Sequence, residues 1–207
     1  MSVTYQPLSR KFYLRDSVTV SKELLGKVIV RRAGKKILAA KIVETEAYFG
    51  DHDPASHAYQ KITPRNRVMY EQGGLVYVYF IYGNYYCFNV VCDKKGLGNA
   101  SLIRAVEPVE GIEIMKKLRG DVKNIHELTN GPAKLCMAMD IDKKLYGNDL
   151  TKSGSVFISK PLTKEKPEII TTKRIGLNVG IDFPYRFFIK DNPFVTKHKF
   201  NNEVILT

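Results

Sequence analysis

The chain has 207 residues, 44% of them apolar, which is enough for one sizeable core and lies within the usual single-domain range. Its 33 Lys and Arg against 21 Asp and Glu leave a formal charge of +12, a balance that suits a polyanionic partner. No apolar run of about 20 residues occurs, which excludes a membrane-spanning helix, and the first dozen residues lack the apolar stretch of an export signal, so an intracellular protein is expected, cytoplasmic if bacterial.

The first element is a short helix, capped by Asp16 and Ser17, running to Leu25 and ended by Gly26. Residues 27–32 and 37–43 read as strands joined at Ala33-Gly34-Lys35-Lys36. Glu44 and Glu46 follow, two apart in extended chain, so both carboxylates point to one face. Their neighbours Ile42, Val43, Ala47 and Tyr48 argue against full exposure, and buried acids need a partner or a task. A surface strand would carry the same pair harmlessly. Residues 49–67 hold Gly, Asp, Pro, Asn and Thr at turn-forming density, which places Glu46 and Tyr48 where a strand gives way to a long loop.

Residues 75–91 read as a β-hairpin, with β-branched and aromatic residues on both sides of Gly83-Asn84. Tyr82 falls at or beside its tip. Between stacked base pairs is one place for an exposed aromatic there, while all five tyrosines, Tyr77, Tyr79, Tyr82, Tyr85 and Tyr86, also suit plain sheet packing. Residues 100–106 predict another strand, in which Arg104 is the only charge and a candidate partner for the paired carboxylates. A structural ion pair accounts for Arg104 equally well. Pro108 suits a helix start and Gly120 its end, so a helix is expected over residues 108–119. Asn130-Gly131-Pro132 opens a second helix to about residue 139. The lysines near 143 and 160–166 mark surface, and residues 155–158 and 185–189 read as strands. This order predicts an α+β fold, one mixed domain over 1–207, and no nucleotide-binding glycine motif argues for dinucleotide chemistry.

Cys87, Cys92 and Cys136 are an odd set without metal-knuckle spacing, and no cysteine lies near His52 and His57, so no metal and no cofactor are expected. The paired carboxylates, the aromatic hairpin and the charge together suggest a protein that draws a base out of DNA and cuts it from its sugar, and two other activities compete with that reading. A non-catalytic nucleic-acid-binding protein would use the charge and the aromatic hairpin, but leaves the carboxylates idle. A hydrolase of free nucleosides would leave the charge and Tyr82 without purpose.

Val43-Glu-Thr-Glu-Ala-Tyr48, Thr63-Pro-Arg-Asn-Arg67, Val76-Tyr-Val-Tyr79 with Ile81-Tyr-Gly83, Leu102-Ile-Arg-Ala-Val-Glu-Pro108 and Gly131-Pro-Ala-Lys-Leu-Cys136 follow one another in the order and at nearly the spacing of the alkyladenine (3-methyladenine) DNA glycosylases. The chain resembles bacterial-type members of that family from about Leu8 to Val195.

The resemblance implies a curved antiparallel sheet, flanked by helices, that presents a hairpin to duplex DNA containing damaged purines. Tyr82 then matches the intercalating wedge and Tyr77 a DNA contact. Tyr48, His57 and Tyr79 match the residues that sandwich the flipped base. Glu46 matches the general base, with Arg104 and the Ile175 backbone helping to hold its water. Asn89 matches a position that clashes with the guanine amine. Arg65, Arg67 and Lys134 are assigned to phosphate or structural roles. A monomer that hydrolyses the glycosidic bond of alkylated or deaminated purines, without strand cleavage, is the expectation.

Overall fold

A computed structural model describes residues 4–34, 36–81, 83–120 and 122–205. Its frame is one antiparallel sheet built around two long strands, β2 (Lys36–Tyr48) and β5 (Asn99–Glu110). The hairpin of β3 (Val76–Ile81) and β4 (Tyr85–Cys92) extends the sheet beyond β5, and β1 (Val28–Ala33) with β6 (Val156–Ser159) extends it beyond β2. Two further strands, β7 (Ile169–Thr172) and β8 (Arg186–Ile189), pair with each other, and β8 also pairs with β2 at Glu44–Glu46. One edge of β2 is therefore shared, by β1 along its first half and by β8 along its second. That sharing curls the sheet around the two acids.

A register irregularity decides where the acids point. Leu38, Ala40 and Ile42 enter the main core from even positions, whereas beyond the slips between Ile42 and Thr45 it is Ala47, an odd position, that enters it. Thr45, on the same side as Ala47, donates its hydroxyl to the Ser21 carbonyl at 3.0 Å. Simple alternation would have driven Glu44 and Glu46 into the apolar core beside Ile42. The bulge turns them to the opposite face, a common use of bulges next to active sites.

The helices cover the core side. α1 (Arg10–Tyr13) is one turn, and α2 (Ser17–Leu24) packs on β2 and β5, its first turn capped by Asp16 Oδ1 accepting from the Thr19 N–H at 2.9 Å. α3 (Ile112–Arg119) packs on α4 (Pro132–Ala138), which lies on β4 and β5. The result is the α+β architecture that the sequence predicts, with the curved antiparallel sheet that the resemblance implies.

Three local expectations are corrected. Pro108 does not open a helix: β5 continues through it to Glu110, and the helix starts at Ile112 after Gly111 in the left-handed region (φ +80°). Pairing with β2 overrides the helix signal there, and the missing proline N–H is tolerated at the Ala39/Ala40 register slip. The strand predicted to end at residue 43 runs on to Tyr48. The hairpin turn spans three residues, since Ile81 pairs with Tyr85; Gly83 is left-handed (φ +74°) and Asn84 is not. Tyr82 lies outside the described residues.

Candidate active site

Glu46 is fully buried and engages three donors. Its Oε1 accepts from the Ile175 backbone N–H at 3.0 Å, and its Oε2 accepts from the Tyr48 hydroxyl at 2.7 Å and from Arg104 Nη1 at 3.3 Å. An ionised carboxylate offers about four lone-pair positions, so one on Oε1 stays open. Arg104 divides its fork, giving Nε to Glu44 Oε1 at 3.1 Å. The candidate partner of the paired acids thus binds both.

Glu44, also fully buried, is more heavily tied. Oε1 further accepts from Arg186 Nε at 2.7 Å, and Oε2 accepts from the Thr196 N–H at 2.8 Å. Burial pushes its carboxyl pKa up, but Arg104, Arg186 and the Thr196 hydrogen bond outweigh that and hold it below the usual carboxylate value. Burial likewise opposes the charge on Arg104, and the two glutamates outweigh it, so its pKa rises and it stays a cation. Burial first, then the Glu46 charge, raises the Tyr48 phenol well above its ordinary pKa, leaving it a neutral donor to Glu46.

In front of this cluster lies a cavity of about 330 Å³ whose wall includes Tyr48, His57, Tyr77, Tyr79, Asn89 and Arg65. Its size and aromatic lining suit a planar heterocycle. His57 and Tyr79 meet edge to face, ring centroids 4.5 Å apart, and the His57 Nδ1 is 2.9 Å from the Tyr77 hydroxyl. Although His57 is exposed at the mouth, loss of water around its ring and then the nearby Arg65 charge lower its pKa to about 4. Burial pushes the Tyr77 phenol up to about 12. Asn89 Nδ2 donates to the Tyr77 carbonyl at 3.1 Å, which fixes the amide against the wall. Arg65 stacks its guanidinium 5.1 Å from the Tyr79 ring centre.

Two assigned residues stand apart. Arg67 is exposed at the start of a 3-10 turn over Arg67–Tyr70, and Lys134 donates from α4 to Asn130 Oδ1 at 2.8 Å; neither lines the cavity. Ile175 is buried and reaches the site through its N–H. Cys87, Cys92 and Cys136 are buried free thiols, and among the described residues no three His, Cys, Asp or Glu side chains cluster as metal ligands.

Four residues that organise the site escape sequence reasoning. Arg174 and Asp53 form a buried ion pair beneath Tyr48, and Arg186 neutralises Glu44. Asn66 belongs to the quoted Thr63-to-Arg67 motif; its Nδ2 donates to the carbonyls of His57 at 2.6 Å and Lys61 at 2.8 Å, pinning the loop that carries His57. The motif itself was the only signal available for it.

A carboxylate buried behind an aromatic, base-sized cavity on a strongly basic chain is the arrangement of a DNA glycosylase. Comparison with known proteins gives the same class. The family model described as methylpurine-DNA glycosylase matches residues 11–193. Relatives from Carboxydothermus hydrogenoformans, 50% identical over 190 residues, and from Alkaliphilus oremlandii and Clostridium perfringens, each 48% identical over 201 and 203 residues, span 92% of this chain and 98% of their own lengths. Each carries the provisional name 3-methyladenine DNA glycosylase. The chain belongs to the methylpurine-DNA glycosylase family.

Proposed function

We propose that the protein rotates an alkylated or deaminated purine (3-methyladenine, 7-methylguanine, hypoxanthine or etheno-adenine class) out of duplex DNA into the cavity and hydrolyses its glycosidic bond with water activated by Glu46. The observation that carries the reading is the open Oε1 position of Glu46, a carboxylate that Tyr48 joins to the base cavity. A water accepted there gives its proton to Glu46 while its oxygen attacks the sugar C1′, and the electron pair of the C1′–N bond leaves with the purine. The carboxylate also opposes the positive charge that develops on the sugar. A purine already cationic through alkylation leaves without protonation. A neutral lesion needs a proton, so it is the slower substrate.

Tyr48 supports the base on one side, and His57 with Tyr79 on the other. The His57 carbonyl accepts from Asn66, which holds the His57 backbone in place to hydrogen-bond the base edge. Asn89, held by the Tyr77 carbonyl, selects against the guanine amine by crowding. Tyr82, between β3 and β4, fills the vacated stack, and the exposed Arg65 and Arg67 contact phosphates.

The test is single-turnover release of free base from a duplex with one alkylated purine, against an undamaged duplex. Glu46→Gln keeps the size and removes the base, so it abolishes release while affinity for the damaged duplex stays within a few-fold. Release by this variant near the wild-type rate defeats the assignment, and binding without release by the wild type favours a non-catalytic reader of unpaired bases.

A further inference from the structure

Tyr48 and the backbone on either side of Glu46's contacts rest on a group that the reaction itself does not call for. Arg174 has a fully buried side chain, and so does its partner Asp53. Its Nη1 and Nη2 donate to the two Asp53 carboxylate oxygens at 2.5 and 2.7 Å, a two-pronged pair. Nη1 also donates to the Ala47 carbonyl at 3.0 Å, between Glu46 and Tyr48 in the strand, and Nη2 to the Gly180 carbonyl at 3.1 Å. The guanidinium carbon lies 4.5 Å from the Tyr48 ring centre.

Each of these contacts leads to a different wall of the base cavity. Ala47 fixes the end of β2. Asp53 fixes the loop to His57, since its oxygens also accept from the N–H groups of Phe49 at 3.3 Å and Ala55 at 3.1 Å. The Arg174 backbone fixes the third wall, because the next residue, Ile175, donates to Glu46 and the two after it, Gly176 and Leu177, line the cavity. Gly180 closes the arrangement: it is left-handed (φ +59°), and a Cβ there would sit 3.2 Å from both Arg174 Nη2 and Asp53 Oδ1.

The geometry points to Arg174, held by Asp53, as a positioning residue for excision. It sets the plane of the Tyr48 ring and the Ile175 donor so that the stacked base and the Glu46 water meet at reacting distance. An ion pair that served stability alone would need only Asp53. This one also donates Nη1 to the Ala47 carbonyl beside Glu46 and Nη2 to the Gly180 carbonyl, and it lays its guanidinium face on Tyr48. A lysine supplies the charge but neither the fork nor the flat face. The inference rests on the reading of Glu46 as the base and Tyr48 as the stacking platform.

The experiment compares wild type, Arg174→Lys, Asp53→Asn and Glu46→Gln in single-turnover release from a duplex carrying 1,N6-ethenoadenine, with enzyme titrated to saturation. Both Arg174→Lys and Asp53→Asn are expected to lower the saturated rate by about tenfold or more, within the range for a misplacement of about 1 Å, while half-saturation and undamaged-duplex affinity shift less than about two-fold. A variant that matches the wild-type saturated rate per folded molecule, judged by near-ultraviolet circular dichroism, overturns the inference, as does a change confined to melting temperature. Asp53→Asn preserves shape and decides the matter if Arg174→Lys does not fold. Release by Glu46→Gln at the wild-type rate would instead remove the reading beneath it, so the two failures are separable.

Discussion

Tyr48 donates its hydroxyl to Glu46 Oε2 at 2.7 Å, so the aromatic platform of the cavity and the buried carboxylate form one hydrogen-bonded unit. Both side chains leave β2 on the same face, two residues apart, which is the shortest spacing at which a strand can join them.

Tyr48→Phe separates the two roles of that residue, because the ring stays and the donor goes. A hydrogen bond to a charged group contributes about 1.5–3 kcal/mol, so single-turnover excision is expected to slow by about tenfold or more while damaged-duplex affinity stays within a few-fold. Equal loss of rate and affinity would mean that the hydroxyl supports the fold and not Glu46.

Glu44 is expected to contribute to acid stability. Its carboxyl pKa lies below the ordinary value in the folded chain, so its contribution is present above the unfolded value and is lost as pH falls through the folded one. Removing its charge strands Arg186, whose side chain is fully buried, so Glu44→Gln is expected to cost about 3–5 kcal/mol in urea unfolding at pH 7. The variant should also show a shallower decline of stability below about pH 4.5 than the wild type, the ordinary carboxylate value marking where the unfolded chain takes its proton. Parallel declines in the two proteins would assign the acid sensitivity to other carboxylates.

Much of the site is legible in the sequence because its grammar is local. Two acids at i and i+2 share a face of any strand, and a lone arginine in an apolar strand must find a carboxylate, which is why Glu44, Glu46 and Arg104 could be brought together before any fold was known. The bulge that points the acids away from the core is invisible, since nothing in the run from Ile42 to Thr45 departs from strand composition. Arg174 and Arg186 meet Asp53 and Glu44 across 121 and 142 residues, far outside any periodicity. Pro108 misleads for the opposite reason. Its local signal is strong, and a long-range pairing with β2 overrides it.

His57 is expected to remain neutral at physiological pH, because its ring, short of water beside Tyr79 and near Arg65, has a pKa lowered to about 4. Folding therefore favours the neutral ring, and stability falls from the unfolded-state value near pH 6.5 down to about pH 4, where the folded protein also takes the proton. A proton NMR titration of the His57 ring should show no midpoint between pH 5.5 and 8. A midpoint near 6.5 would place the ring in bulk solvent and away from the edge-on contact with Tyr79.

The last expectation is that excision leaves an intact abasic strand. Strand cleavage by β-elimination needs an amine to attack the sugar carbon, and the amine must be unprotonated and within reach of the flipped nucleotide. Among the described residues lining the cavity there is no lysine. Lys134, the one lysine in a matched motif, spends its ammonium on Asn130 Oδ1 at 2.8 Å and stands off the cavity wall. On the proposed reading Glu46 activates a water, and a carboxylate cannot itself form the imine that β-elimination needs. Borohydride added during turnover should accordingly trap no covalent adduct between protein and DNA, and the product should resist cleavage until treated with alkali. A trapped adduct in amounts stoichiometric with enzyme would replace the water mechanism with attack by an amine, and the Lys134→Ala variant would then show whether that amine is Lys134.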